Sequence, residues 1–260
     1  MPKPFLKFQH VNFTYETAIE PLFQDISVHL PSGWTGIVGA NGAGKTTFLK
    51  LATGLLTPDA GMVQTPEKSV YCSQRTDDRP EHFAGLLHAA SKAAALIKGP
   101  FGLEAEWLER WPTLSHGERK RSQIAVALWL EPDLLAIDEP TNHVDAEGRD
   151  ILMQALRTFQ GVGLLVSHDR ELLDTLCRQC LFVEPPRVTV RPGGYSKGMA
   201  AATEERNTIN RQYALKKQSY KKLKRESARR RDLTNQYHSR RSKKGILKHD
   251  HDAKAKIDAA

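Results

Sequence analysis

Three features of the 260-residue chain predict an α/β fold with a parallel-sheet core. Strand-like and helical segments alternate, the order that βαβ units impose. Two segments, "LLAID" ending at Asp138 and "GVGLLV" ending at Val166, are apolar almost throughout, as strands covered on both faces are. A glycine-rich stretch, "GANGAGKT", separates an apolar strand from a helix.

Taken in order, "FLKFQHVNFTY" alternates as a strand does, and "LFQDISVHLPSG" reads as a second strand ending in a turn. "WTGIVGANGAGKTTFLKLATGLL" is strand, loop and helix, and "SVYCSQ" a short strand. Residues from about Pro80 to Trp129 read as mostly helical, broken at Gly99-Pro100 and at Pro112. After "DLLAID" come an amphipathic helix, "AEGRDILMQALRTF", the strand of "GVGLLVSHD" and the helix "RELLDTLC". "RPGGYSKG" then punctuates the chain. The 46 residues from Met199 to Lys244 contain no Gly or Pro; as one helix they would extend about 69 Å at roughly 1.5 Å per residue. Their apolar positions, Ile209, Tyr213, Tyr220, Leu223, Leu233 and Tyr237, form a thin stripe, enough for one partner helix and too narrow for a core. No internal repeat is present.

Charge is divided along the chain. Residues 201–260 hold 18 Lys and Arg against 7 Asp and Glu, whereas the first 200 hold 20 against 23. The body is nearly neutral and the tail strongly basic. No apolar run approaches the roughly 20 residues of a membrane span, and "MPKPFLKFQH" lacks the apolar stretch of a secretory signal. Three cysteines, Cys72, Cys177 and Cys180, are too few for a disulfide scaffold. "CRQC" has no second pair to complete a zinc site, so ordinary reduced thiols are expected. The expected location is the cytoplasm.

"GANGAGKT" fits G-x-x-x-x-G-K-[ST] in its required context. Gly39, Asn41, Gly42, Ala43 and Gly44 turn backbone N–H groups toward phosphate oxygens, and the helix that opens at Lys45, Thr46 and Thr47 adds its dipole. Lys45 would reach the β- and γ-phosphates of a nucleotide, and the Thr46 hydroxyl would hold Mg²⁺. "LLAIDEP" supplies Asp138 for the magnesium shell and Glu139 to polarise the attacking water.

These residues resemble the ATP-binding cassette (ABC) ATPases. "TLSHGERKR" is similar to the family's signature motif, with Ser115, Gly117 and Glu118 matching. "SQ" ending at Gln74 resembles the Q-loop, "NHVD" ending at Asp145 the D-loop, and "VSHD" the switch histidine, His168. Tyr15 stands where the family stacks an aromatic ring on adenine. The elements follow the family's order over residues 1 to about 195. The resemblance implies a cassette with a parallel-sheet core, an antiparallel β subdomain and a helical subdomain at about 75–127. It implies that Gln74 touches Mg²⁺ and the attacking water, and that His168 meets the γ-phosphate. His116 replaces the family's usual glycine, which implies a weakened or tolerated signature; retained Gly117 and the tolerance of His for left-handed φ argue against a dead one. The signature acts on a nucleotide held by the opposite cassette, so a second cassette is expected as partner, another copy or a different one.

"LLAIDEPTNHVD", "RPGGYS" and the charged helix after them resemble the ABC-F class, two-cassette proteins with a basic helical linker that enters the ribosome. Residues 196–260 are then an incomplete linker, and the chain is expected to be a fragment; a half-protein that dimerises and a minimal variant remain open. Only 39 residues separate Gln74 from Leu114, enough for the helical subdomain without an added arm. Ribosome, rRNA and tRNA are the implied partners. The RNA-binding candidates are Lys221, Lys222, Lys224, Arg225, Arg229, Arg230, Arg231, Arg240, Arg241, Lys243 and Lys244, with Tyr213, Tyr220 and Tyr237 able to stack on bases. A solvated charged face or an anionic membrane surface would suit the same residues. The alternative function is the nucleotide-binding subunit of a membrane transporter, which has no use for such a tail.

Overall fold

The computed structural model describes residues 3–257 except His143, with side chains described up to residue 236. β1 (Phe5–Phe13) pairs antiparallel with β2 (Phe23–Pro31) on one side and with β4 (Ala60–Gln64) on the other. The second sheet runs β5-β6-β7-β3-β8-β9, where β3 is Gly33–Val38, β5 Ser69–Cys72, β6 Leu134–Asp138, β7 Val162–Val166, β8 Cys177–Glu184 and β9 Arg187–Pro192. Its pairings are parallel from β5 to β8, and β9 closes the edge antiparallel. The expected parallel-sheet core, antiparallel sheet and long terminal helix are all present.

The apolar runs of β6 and β7 have a direct cause. Leu135, Ile137 and Leu165 face one core, with the helices α2 (Phe83–His88) to α6 (Arg170–Leu176). Leu134, Ala136, Leu164 and Val166 face the other, with α1 (Lys45–Ala52) and the three-stranded sheet. A strand with helices on one side and a helix and sheet on the other has no wet face, so alternation disappears.

Between β5 and β6 lie α2, α3 (Lys92–Phe101), two short 3-10 turns and α4 (His116–Trp129). The break expected at Gly99-Pro100 comes later. Pro100 lies within the last turn of α3, and the helix stops at Gly102, left-handed at φ 60°, with the Leu103 N–H donating to the Lys98 carbonyl. A proline one residue from a helix end sacrifices a single backbone bond, and the glycine supplies the stop.

After α5 (Ala146–Arg157), β7, α6 and the β8–β9 pair comes α7 (Tyr195–Ile257). Residues up to Ala201 belong to one compact unit and those from Ala202 to a second. In the first unit, Asp174 accepts hydrogen bonds from the Ser196 N–H and hydroxyl, and Gly198 leaves room for the Phe182 ring, which a Cβ would meet at 2.9 Å. In the second, Ile209, Tyr213, Tyr220, Leu223 and Leu233 are all more than half exposed. Tyr237, Arg240, Arg241, Lys243 and Lys244 lie outside the residues whose side chains are described.

Candidate nucleotide-binding site

The carboxyl ends of β3, β6 and β7 converge on one edge of the sheet, the place where open α/β sheets bind ligands. A cavity of about 420 Å³ there is lined by Asn41, Gly42, Gly44 and Lys45 to Thr47, together with Gln74, Asp138, Glu139, Asn142 and His168. Larger cavities exist elsewhere, one of about 920 Å³ beside Leu96 and Ile151. The donor set, not the volume, marks this one.

The loop's shape follows from its glycines. Gly42 and Gly44 hold left-handed φ of 79° and 96°, which cost other residues 1–2 kcal/mol or so. Gly39 is needed for space, since a Cβ would stand 2.7 Å from the Val183 carbonyl oxygen. Lys45 Nζ donates to the carbonyls of Gly39 (3.0 Å) and Ala40 (3.1 Å) at the loop's mouth. Ala43 is buried behind the loop.

Thr46 Oγ1 donates to Asp138 Oδ2 at 2.7 Å, and the Tyr71 hydroxyl donates to the same oxygen at 3.3 Å. A hydroxyl and a buried carboxylate in contact are the hard oxygen pair that Mg²⁺ takes, so these residues fit the ion. Burial, reinforced by Asp138, pushes the Tyr71 phenol well above its ordinary range and keeps it a donor. Glu139 is 5% exposed and left-handed, φ 50°, an uncommon state for a non-glycine residue. Its carboxylate accepts from the His168 N–H (3.2 Å), and His168 Nε2 lies 3.3 Å from its other oxygen. Burial raises the Glu139 pKa, His168 and Lys45 counter it, and Asp138 adds to it.

Tyr15 lies outside the cavity lining, 43% exposed, with its hydroxyl 2.7 Å from Thr47 Oγ1 and its ring edge-on to Phe13 at 5.0 Å. The signature residues and Asp145 also lie outside it, and Ser115, Glu118 and Asp145 act here as helix caps. Ser115 Oγ accepts from the Glu118 N–H, and Glu118 Oε2 accepts from the Ser115 N–H, a capping box on α4. His116 is the first residue of that helix and has no left-handed φ, so the site does not call on glycine's freedom. Asp145 caps α5 by accepting from the Gly148 N–H at 2.9 Å.

Asn142, Tyr71 and Lys120 were not foreseen. Lys120, 0% exposed on α4, donates to the Ser73 carbonyl (2.7 Å), to Gln123 Oε1 (3.1 Å) and to the Asp138 carbonyl (3.2 Å). It ties the signature helix to the segment before Gln74 and to the end of β6. Burial pushes its ammonium down to about 8 against the pull of Cys72, Asp138 and Glu139. A lysine amid a signature's basic run reads as a solvated charge, so only the fold reveals it. The cysteines are free and buried, and no cluster of metal-ligating residues occurs among the described residues.

A family model described as "ABC transporter" matches residues 23–142. The probable ATP-binding protein YheS of Escherichia coli strain K12 is 36% identical over 66% of this chain and 29% of its own length. The chain belongs to the ABC-F group of ATP-binding cassette proteins. The ribosome protection protein VmlR of Bacillus subtilis is 29% identical to it over 94% of this chain and 44% of VmlR. The Uup-like ATP-binding protein of Haemophilus influenzae is 34% identical over 87% of this chain and 53% of its own length. This ABC-F chain therefore spans about half or less of the curated relatives it matches. The dimeric, post-hydrolysis ATP-binding cassette MJ0796, bound to ADP and phosphate, shares its fold at a TM-score of 0.61 and 20% identity, over 72% of this chain and 98% of that one. No helix among the described residues is long and apolar enough to cross a membrane.

Proposed function

We propose that this cassette binds and hydrolyses Mg²⁺–ATP and acts in the cytoplasm on the ribosome, with α7 as its RNA-contacting arm. The observation that carries the chemistry is the convergence of Lys45, Thr46, Asp138, Glu139 and His168 on one cavity. Lys45 and the loop N–H groups bind the β- and γ-phosphates. Thr46 and Asp138, with Gln74 beside them, would hold Mg²⁺, which would neutralise charge at those phosphates. Glu139, with its raised pKa, accepts a proton from the attacking water, and His168 orients Glu139 and meets the γ-phosphate. Tyr15 offers a face to adenine. Ser115, Gly117, Glu118 and Asp145 lie outside the cavity, which supports their acting on a nucleotide held by a second cassette. That partner is either a second cassette of a longer chain or another copy of this one.

The ribosome reading draws on VmlR's described role and on the charge of residues 201–260, 18 basic against 7 acidic. The test is Glu139→Gln. Turnover should fall by at least about 100-fold (roughly 2.7 kcal/mol or more of barrier) with ATP binding kept. In ATP at low salt the variant should co-sediment with ribosomes. A trapped protein that stays wholly in the supernatant refutes the ribosome role, and unchanged turnover refutes the assignment of Glu139.

A further inference from the structure

The opposite end of the parallel strands, where β3 begins at Gly33, opens on a second cleft of about 820 Å³. Lys3, His29, Arg157 and Arg178 line it, and no Asp or Glu does. Among the described residues no carboxylate oxygen lies within 4.0 Å of the Lys3, Arg157 or Arg178 side-chain nitrogens; the ion pairs that occur lie elsewhere. The body around it is different, with 23 acidic residues against 20 basic ones in the first 200.

Helix-end electrostatics explains only part of this. Arg157 sits in the last turn of α5, where the dipole favours a cation. Lys3, His29 and Arg178 come from three other segments: the approach to β1, β2 and β8. The Arg178 stem crosses Gly33, where a Cβ would be 3.4 Å from Cδ and φ is +108°. Rings accompany the charges. Phe5 is 38% exposed, and its centroid lies 5.4 Å from that of His29.

We propose that this cleft binds single-stranded RNA, with phosphates on Arg157, Arg178 and Lys3 and a base against the Phe5–His29 pair. Cations beside an exposed ring pair match the phosphate and base of a nucleotide together. An acidic peptide would answer the charges and leave the rings without a partner. The proposal deepens the ribosome reading by placing a second RNA contact on the cassette, away from the nucleotide site and independent of α7.

The experiment titrates the full chain with a fluorescent 12-nucleotide oligouridylate over a range of salt. Arg157→Gln/Arg178→Gln should weaken binding by about tenfold or more and flatten the log K–log salt slope by about 1.4, roughly 0.7 per lost phosphate contact. ATP binding should be unchanged, and 5-iodouridine RNA should crosslink to peptides holding Phe5 or His29. An unchanged slope in that variant, with Arg229→Gln/Arg230→Gln/Arg231→Gln losing the binding instead, overturns the proposal. So do crosslinks confined to residues 202–236. Inorganic polyphosphate or polyglutamate displacing the RNA equally well, charge for charge, would show a general anion site or a protein site and refute the RNA assignment. The ribosome reading is judged separately by co-sedimentation of Glu139→Gln, so either can fail while the other stands.

Discussion

Asp138 is gripped from three sides. Thr46 and Tyr71 hydroxyls meet its Oδ2, and Lys120 holds its backbone carbonyl. A metal-ligating carboxylate depends on such outer partners for orientation, and losing one typically costs 10–100-fold in metal affinity. Tyr71→Phe removes a hydroxyl while the ring keeps its place in β5. The expected result is that Mg²⁺ tightens ATP-analogue binding about tenfold less than in the parent, with affinity in EDTA unchanged. Equal Mg²⁺ dependence in both proteins would show that Tyr71 does not orient Asp138. The loop and β6 acids were legible in the sequence because their chemistry is written in contiguous residues: glycines, Lys45, Thr46, Asp138 and Glu139. Tyr71 and Lys120 were not, since their roles depend on partners 67 and 47 residues away that only pairing of β5 with β6 and packing of α4 bring near.

At the scale of elements, the start of α4 is held by a reciprocal cap. Partial burial pushes the Glu118 carboxyl up, but the Ser115 hydrogen bonds, then Arg121 and Arg110, bring it below its usual range. A carboxyl whose folded pKa is depressed adds stability that is complete above the unfolded value, near 4.5, and is lost as pH falls through the lower folded value. The first turn of α4 should therefore loosen on acidification below that pH, seen as faster amide exchange at Ser115, and Glu118→Gln should show little of this dependence. Ser115→Ala should cost about 1 kcal/mol of stability by chemical denaturation; no loss would mean that the cap is idle. Most elements were readable where a strand is apolar on both faces or a helix has a clear stripe, but β8, "CRQCLFVE", was missed although mostly buried, because its polar start, Arg178 and Gln179, runs on directly from α6. β4, "AGMVQ", was missed because it is an exposed edge strand with almost no buried position. β9 was missed because its cations, Arg187 and Arg191, break the apolar pattern, although Arg191 spends its charge over the Phe182 ring at 4.8 Å.

For the whole molecule, the uneven charge of the sequence marks off a nearly neutral cassette from an appended basic helix, and the two compact units follow nearly the same division. The join is less visible, because "GGYSKG" reads as punctuation, yet Tyr195 to Gly198 already belong to α7. Those residues seal the cassette through Asp174 with Ser196, Gly198 under Phe182, and Arg170 over the Tyr195 ring at 5.1 Å. Two truncations separate what the helix does for folding from what it does for binding. A chain ending at Ala201 keeps all three contacts, so its Tm should stay within about 3 °C of the parent, less than about 1 kcal/mol for a unit of this size. It should bind ATP normally, while the salt dependence of its RNA binding falls steeply, because the cations of residues 202–260 are gone. A chain ending at Gly194 loses the Ser196 bonds to Asp174 and the cover over Phe182, and should lose about 2 kcal/mol through unpaired Asp174 and exposed ring surface. Equal stability of the two truncated chains would show that the first turn of α7 is ornamental to the cassette. A large loss in the chain ending at Ala201 would show that the cassette needs the helix beyond it to fold.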